Sequence, residues 1–380
     1  MASDTTTVEA VPASEAGTDG SAETTFPERV LGSILGTIDV FTMYLGEKLG
    51  LYRALGDHGP LTPGGLSERA GVHPRYAREW LEQQTVSGIL AVDDPRREPS
   101  ERRYSLPASQ AEVLLDRDSL DYLAPFVRVV MAGGLAMPAL IEAYRSGGGV
   151  SWGQLGEDAR SGQAEMNRPW YLRSIGTEWF PKIPVLHERL AAGARIADIA
   201  CGEGWSSIAI ALAYPATTVD GYDVDEPSIQ AARRHAEEAG VADRARFRVA
   251  DVAAVDLEGV YDAVVGFEFV HDLPHPVEVL RAMRRLVKPD GPVVVLDENV
   301  PDRFTGEPND VERVMYGFSV LVCLPDGMSH RPTVATGTVI RADTMRAYAQ
   351  QAGFADVEIE PIDHDLWRFY RLVHEGIQMG

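Results

Sequence analysis

The chain has 380 residues, 45% of them hydrophobic, which is enough for two structured domains with full-sized cores. Its formal charge of −22 argues against a general affinity for nucleic acid or an anionic membrane surface. The two cysteines, Cys201 and Cys323, are too few for a disulfide framework and fit a reducing cytoplasm.

Residues 1–25 are rich in Thr, Ala, Ser and Glu and hold no Lys or Arg. They read as a disordered acidic tail rather than a secretory or transit signal. No continuous apolar run approaches the length of a membrane span. From Phe26 to Leu55 the residues Val30, Leu31, Ile34, Leu35, Ile38, Phe41, Leu45 and Leu49 recur at spacings of three and four, predicting one or two helices with a buried stripe. Thr62 followed by Pro63 signals a helix start, and Gly71-Val72-His73-Pro74 a tight turn before a second helix ending near Gly88. Residues 89–92 and 103–106 read as two short strands, so 26–108 form a winged-helix domain. Its would-be wing, 93–103, sets Arg96, Arg97, Arg102 and Arg103 against Asp93, Asp94, Glu98 and Glu101, leaving no net charge to neutralise DNA phosphates.

Residues 109–190 read as a helical connector, with helices at 118–131 and 135–144 split by Gly133-Gly134 and closed by Gly147-Gly148-Gly149. Trp152, Trp170, Tyr171, Trp179 and Phe180 make it aromatic. Core packing alone would account for them.

The remainder, 191–380, carries the pattern of a doubly wound α/β sheet. A short apolar strand at 196–200 leads into a turn holding Gly202 and Gly204. A helix follows over 206–213, then a strand at 218–222 closing on Asp223, about twenty residues past the first glycine, where such folds hold ribose hydroxyls. A dinucleotide fingerprint would place a third glycine at Ser207. Between Arg195 and Arg233 there is no Lys or Arg, whereas Asp198, Glu203, Asp220, Asp223, Asp225 and Glu226 are acidic. Asp198 and Glu203 would repel a pyrophosphate at the helix start. The same acids suit an adenosine that bears positive charge instead, namely S-adenosylmethionine.

With D-I-A-C-G-E-G as its first motif, the chain resembles the class I S-adenosylmethionine-dependent methyltransferases of the winged-helix, plant O-methyltransferase-like type, and a bacterial subgroup of them more than the plant enzymes. The resemblance, over about residues 30–375, implies a Rossmann-like catalytic sheet and an N-terminal, mainly helical winged-helix domain used for homodimerisation. The phrase Y-L-G-E-K-L-G-L-Y-R-A-L is typical of such opening helices. Asp198, Gly202, Gly204, Asp223, Asp251, Val252 and Phe267 are then expected to hold the cofactor, Asp251 by accepting from the adenine amino group or else as a helix cap. The connector would roof the acceptor pocket through some of Met131, Trp152, Met166, Tyr171 and Trp179.

Beyond the fourth strand, 261–269, comes F-V-H-D-L, similar to the H-D-W segment in which the histidine is the general base. His271 is that residue here, with the near-neutral pKa the task asks for. The fifth strand, 292–296, ends in Asp297-Glu298. Strand alternation predicts that only one of these two faces the site and orients His271. A second flanking glutamate is not placed, Glu312 being one choice. Residues 311–332 read as an insertion walling the pocket, 342–352 as a helix, and 357–362 with 366–373 as a final antiparallel pair. The expected activity is methyl transfer to a hydroxyl of a small, largely apolar acceptor of secondary metabolism, with no nucleic-acid or membrane partner and no metal. Three alternatives stay open: a metal-dependent C-methyltransferase of an α-keto acid with His271, Asp272 and His330 as ligands, a DNA-binding ligand sensor, and a methyltransferase fold used for non-methylating chemistry.

Overall fold

The computed structural model describes residues 24–374, so most of the expected tail lies outside the described residues. They fall into two compact units, with Asp39 the last residue of the first and Val40 the first residue of the second. The boundary runs inside the long helix α1 (Phe26–Lys48).

The winged-helix region consists of α2 (Leu51–His58), α3 (Pro63–Ala70), α4 (Pro74–Val86), the two-residue strands β1 (Ala91–Val92) and β2 (Tyr104–Ser105), and α5 (Ala108–Leu115). Thr62 caps α3, its Oγ1 accepting the Gly65 N–H at 3.1 Å. Two of the wing acids are paired locally: Arg97 pairs with Asp93 at 3.0 Å and Arg96 with Asp94 at 3.0 Å. Arg102 reaches Glu82 at 2.8 Å.

The expected buried stripe of the opening helix is not buried. Val30, Leu31, Ile34, Leu35, Ile38, Phe41, Leu45 and Leu49 are all exposed. Periodicity marks an apolar face but not what covers it. By length and composition alone, α1 is among the described residues long and apolar enough to cross a membrane, although it holds no continuous apolar run. Small uncharged residues such as Gly32, Gly36 and Thr37 separate its apolar ones, so its mean hydropathy is high without a continuous run.

The connector comprises α6 (Ala124–Leu135), α7 (Met137–Ser146), α8 (Trp152–Leu155), α9 (Glu157–Ser174) and α10 (Pro184–Ala192), with a π-turn at Ile175–Trp179. The break between α6 and α7 falls at Ala136, with a 56° bend, not at Gly133-Gly134. Pro138 explains this: it lacks an N–H for a continuing helix and fits only a first turn.

The third part is a seven-stranded sheet in the order β5-β4-β3-β6-β7-β9-β8. Its strands are β3 (Arg195–Ile199), β4 (Thr218–Asp223), β5 (Ala245–Val249), β6 (Ala263–Phe267), β7 (Val293–Glu298), β8 (Asp356–Ile359) and β9 (Trp367–Val373). The four pairings among β5, β4, β3, β6 and β7 are parallel, and β9 runs antiparallel between β7 and β8. Helices α11 (Trp205–Ala213) and α12 (Glu226–Glu238) cover one face, α13 (Pro276–Leu286) and α16 (Ala342–Ala352) the other, with α14 (Asp310–Phe318) and α15 (Leu324–Ser329) inserted after β7. Strand alternation sorts the core: Ile196, Val294 and Leu296 pack to the α11 side, Ala197, Val293 and Val295 to the α13 side. The strand order reverses between β3 and β6, which opens a ligand crevice at their C-terminal ends.

Candidate functional site

The turn after β3 lies on one side of that crevice. Ala200, Gly202 and Gly204 take positive φ values of 56°, 51° and 86°. A Cβ on Gly204 would stand 2.8 Å from both the Ala232 methyl and the Phe247 ring, so this position requires glycine twice over. The Gly202 N–H donates to Asp223 Oδ2 at 2.8 Å, and the Asp225 N–H donates to Asp223 Oδ1 at 2.8 Å. The acid at the end of β4 is thereby held against the glycine turn. Asp198 is fully buried, with both the Ser206 and Ser207 hydroxyls donating to Oδ2 at 2.6 Å. Its Oδ1 is buried with no partner. Burial lifts this carboxyl to about 6, against the two hydroxyls that favour its charge. An unpaired buried carboxylate oxygen fits a cationic or N–H-bearing group and repels a phosphate.

The other expected cofactor residues sit differently. Asp251 is exposed and caps a 3-10 turn, accepting the Ala253 N–H at 2.9 Å. Val252 packs into the α13-side core. Phe267 ends β6 and lies 5.3 Å from the Tyr171 ring and 6.4 Å from that of Phe180.

Across the crevice, the segment after β6 brings His271 onto the end of β7. Its ring is 4% exposed. Nδ1 meets Asp297 Oδ1 at 2.5 Å, and Asp297 also accepts the Val270 N–H at 3.1 Å and the Glu298 N–H at 3.0 Å. A carboxylate against Nδ1 holds the proton there and leaves Nε2 as the basic nitrogen. Burial pulls the imidazolium down, but Asp272 and Asp297 outweigh it and lift His271 well above its ordinary range.

Strand alternation leads to the expectation that one of Asp297 and Glu298 faces the site; Asp297 holds the His271 ring, and Glu298 lies near it as well. Ligand-capable atoms of His271, Asp297 and Glu298 all lie within 4.8 Å of one another. Glu312 instead pairs with Arg341 at 3.1 Å.

Glu268, which the sequence reading passed over, is a hub of the site. It takes a φ of 51° at the end of β6 and receives the Tyr171 hydroxyl at 2.6 Å and the Gln163 amide at 3.1 Å. Burial raises its carboxyl to about 7. Glu298 is raised too, by burial first and by Glu268 second, and its Oε2 is buried without a partner. Two such carboxylates do not both ionise freely. An acid at a strand end within F-E-F-V-H-D was the signal available.

Of the expected pocket residues, Tyr171 is thus spent on Glu268. Trp179 is 1% exposed, packed 5.5 Å from Trp367 and 5.2 Å from Phe369 in the core. Met131 and Met166 are half-buried on α6 and α9, and the Trp152 N–H donates to Asp326 Oδ1 at 2.7 Å. His330 is exposed and stands outside the group formed by His271, Asp272 and Cys323, which the sequence did not connect.

Fold and site together define a chain with a methyltransferase domain behind a winged-helix domain. Residues 196–291 match the methyltransferase domain family, and residues 39–116 match the Rv2258c-like winged HTH domain. The first match implies S-adenosylmethionine as methyl donor. Among curated proteins, the ubiquinone biosynthesis O-methyltransferase of Pseudomonas aeruginosa (strain LESB58) is 38% identical over 102 residues, 27% of this chain and 43% of that protein. The chain thus spans less than half the length of that relative. Among solved structures, the mitomycin 7-O-methyltransferase MmcR is similar at TM-score 0.69 and 20% identity, covering 92% of this chain and 97% of that one. Human N-acetylserotonin methyltransferase in complex with S-adenosylmethionine reaches 0.63 at 16% identity, over 94% and 100% of the two chains. These likenesses establish the fold: a Rossmann-like methyltransferase sheet with an N-terminal helical winged-helix domain.

Proposed function

We propose that the chain transfers the methyl group of S-adenosylmethionine to a hydroxyl of a small, largely apolar acceptor, with His271 as general base. The observation that carries this reading is the buried His271–Asp297 pair, 2.5 Å apart, at the end of the strand beside the cofactor turn. The donor, when bound, supplies a sulfonium-activated methyl for in-line displacement. Asp198, Gly202, Gly204 and Asp223 form its cradle: Asp198 meets its cationic part, and Asp223 has lone pairs left for ribose hydroxyls. Asp251, Val252 and Phe267 border the adenine side. His271 Nε2 takes the acceptor's proton as the new C–O bond forms, and Asp297 balances the imidazolium. Glu268 and Glu298 keep the surroundings negative. Met131, Trp152 and Met166 are offered as acceptor contacts, with Tyr171 acting through Glu268.

Residues 26–108 serve as a dimerisation domain, 109–190 as the pocket roof and 191–380 as the catalytic domain. The exposed stripe of α1 supports a homodimer, since a chain seldom leaves a whole row of large apolar residues along one helix in water. The setting is a cytoplasmic enzyme of secondary metabolism. MmcR, and the neocarzinostatin-biosynthesis enzyme solved with 2-hydroxy-5-methyl naphthoic acid, point to small hydroxylated acceptors.

The experiment is a screen of hydroxylated small molecules with methyl-labelled donor, with and without chelator, on wild type and His271→Ala. Turnover is expected in the wild type and lost in the variant. Full turnover by His271→Ala would remove the base assignment. Activity abolished by chelator alone would favour metal-assisted carbon methylation.

A further inference from the structure

We propose a second use of the His271 imidazole: with Asp272 and Cys323 it forms a site for zinc, and zinc there excludes His271 from acting as a base. The second half rests on the base reading above, whereas the binding half does not.

Ligand atoms of His271, Asp272 and Cys323 all lie within 4.8 Å of one another. His271 Nε2 and Asp272 Oδ1 are 3.4 Å apart. That is long for a hydrogen bond. It equals the edge of a tetrahedron whose corners sit about 2.1 Å from a zinc ion. Asp272 Oδ1 is buried and accepts no hydrogen bond, although it faces the ring nitrogen. A buried carboxylate oxygen in that state asks for a cation.

The thiol is delivered by an unusual piece of backbone. Cys323 closes a π-turn, Ser319–Cys323, between α14 and α15. Such turns are rare and concentrate at functional sites. On the far side of the ring, Asp297 holds Nδ1 at 2.5 Å, which is the outer carboxylate contact that orients metal-binding histidines. The same contact occupies Nδ1 and so rules out the alternative trio of His271, Asp297 and Glu298.

Thiolate, imidazole and carboxylate together select zinc over magnesium or calcium. One carboxylate and one thiolate balance the dication. The thiol proton leaves to solvent, one per ion bound. Three protein ligands leave the fourth position to water, and Asp272, whose side chain is 34% exposed, marks the way in.

The test uses the full-length protein after chelator treatment. Cobalt(II) is titrated in first and then displaced by zinc. One equivalent is expected to give the thiolate-to-cobalt charge-transfer absorption and tetrahedral visible bands. Cys323→Ser should abolish the charge-transfer band and weaken zinc at least about tenfold, the loss that even an outer-sphere partner brings. Asp272→Asn, checked for native circular dichroism, should weaken it comparably. Absence of the band in wild type, or an unchanged band in Cys323→Ser, overturns the site. In the methyl-transfer assay zinc should inhibit wild type reversibly, while Cys323→Ser keeps its basal turnover and resists zinc. Zinc-loaded wild type turning over as fast as the metal-free enzyme overturns the exclusion. If no acceptor turns over, the function above fails, and the cobalt titration still decides the site.

Discussion

Replacing Asp198 by Asn should stabilise the protein at neutral pH while removing cofactor affinity. The carboxyl sits at about 6 in the fold against an ordinary 3.8. Keeping it charged at pH 7.5 therefore costs the folded state about 3 kcal/mol relative to the unfolded chain. The sign follows from the direction of the shift. A folded pKa above the unfolded one means the folded state holds the proton longer, so stability falls as pH rises from about 4 through about 6 and stays lower above. The Asn amide can still accept from Ser206 and Ser207, but its NH2 inherits the place of the partnerless Oδ1. That unmade donor costs about 1 kcal/mol. The net gain is about 2 kcal/mol at pH 7.5, or about 2–3 °C in melting temperature for a chain of this length. At pH 4.5 the charge cost shrinks to about 1 kcal/mol, and the two proteins should melt together. Melts without cofactor at both pH values test this, alongside calorimetry with S-adenosylmethionine, which should lose at least about tenfold in affinity with one charge-assisted contact. An Asn variant melting below wild type at pH 7.5, or a gap of the same size at both pH values, would refute the reasoning.

Asp297→Asn should lower kcat by about 10²–10⁴-fold with little change in cofactor affinity, because it disorders the base without touching the glycine turn; stopped-flow single turnovers separate the two. Since Asp272 and Asp297 hold the His271 imidazolium above its ordinary range, kcat/KM should rise with pH through an apparent pKa above 6.5. Asp272→Asn should move that limb down, and an unmoved profile would show that another group titrates. Gly204→Ala meets both an unfavourable φ and a 2.8 Å contact, so about 1–3 kcal/mol of stability should be lost, read by chemical denaturation. Phe41→Glu with Leu45→Glu, on the exposed stripe, should turn the proposed dimer into monomer in sedimentation velocity without lowering the helix signal.

The covalent order of the chain settled everything carried by short-range rules. The strand–turn–helix–strand unit from Arg195 to Asp223 was legible because glycines with positive φ, alternating apolar residues and the acids of the turn all lie within about thirty positions. His271 and Asp297 were legible as ends of neighbouring strands. What could not be read were meetings between residues far apart in the chain: Tyr171 and Gln163 on Glu268, and Cys323 beside His271. Helical periodicity likewise announced the apolar face of α1 but not its exposure, because a pattern states that burial is favourable and not which surface supplies it. Alternation along β7 gave no sign that Glu298 would lie within 4.8 Å of the ligand atoms of His271 and Asp297. Sequence alone determined the class of fold, the acidic character of the cofactor turn and the place of His271 beyond the fourth strand of the sheet. Tertiary structure alone decided which carboxylates crowd the His271 ring, because the field of a buried charge depends on distance through space and not along the chain.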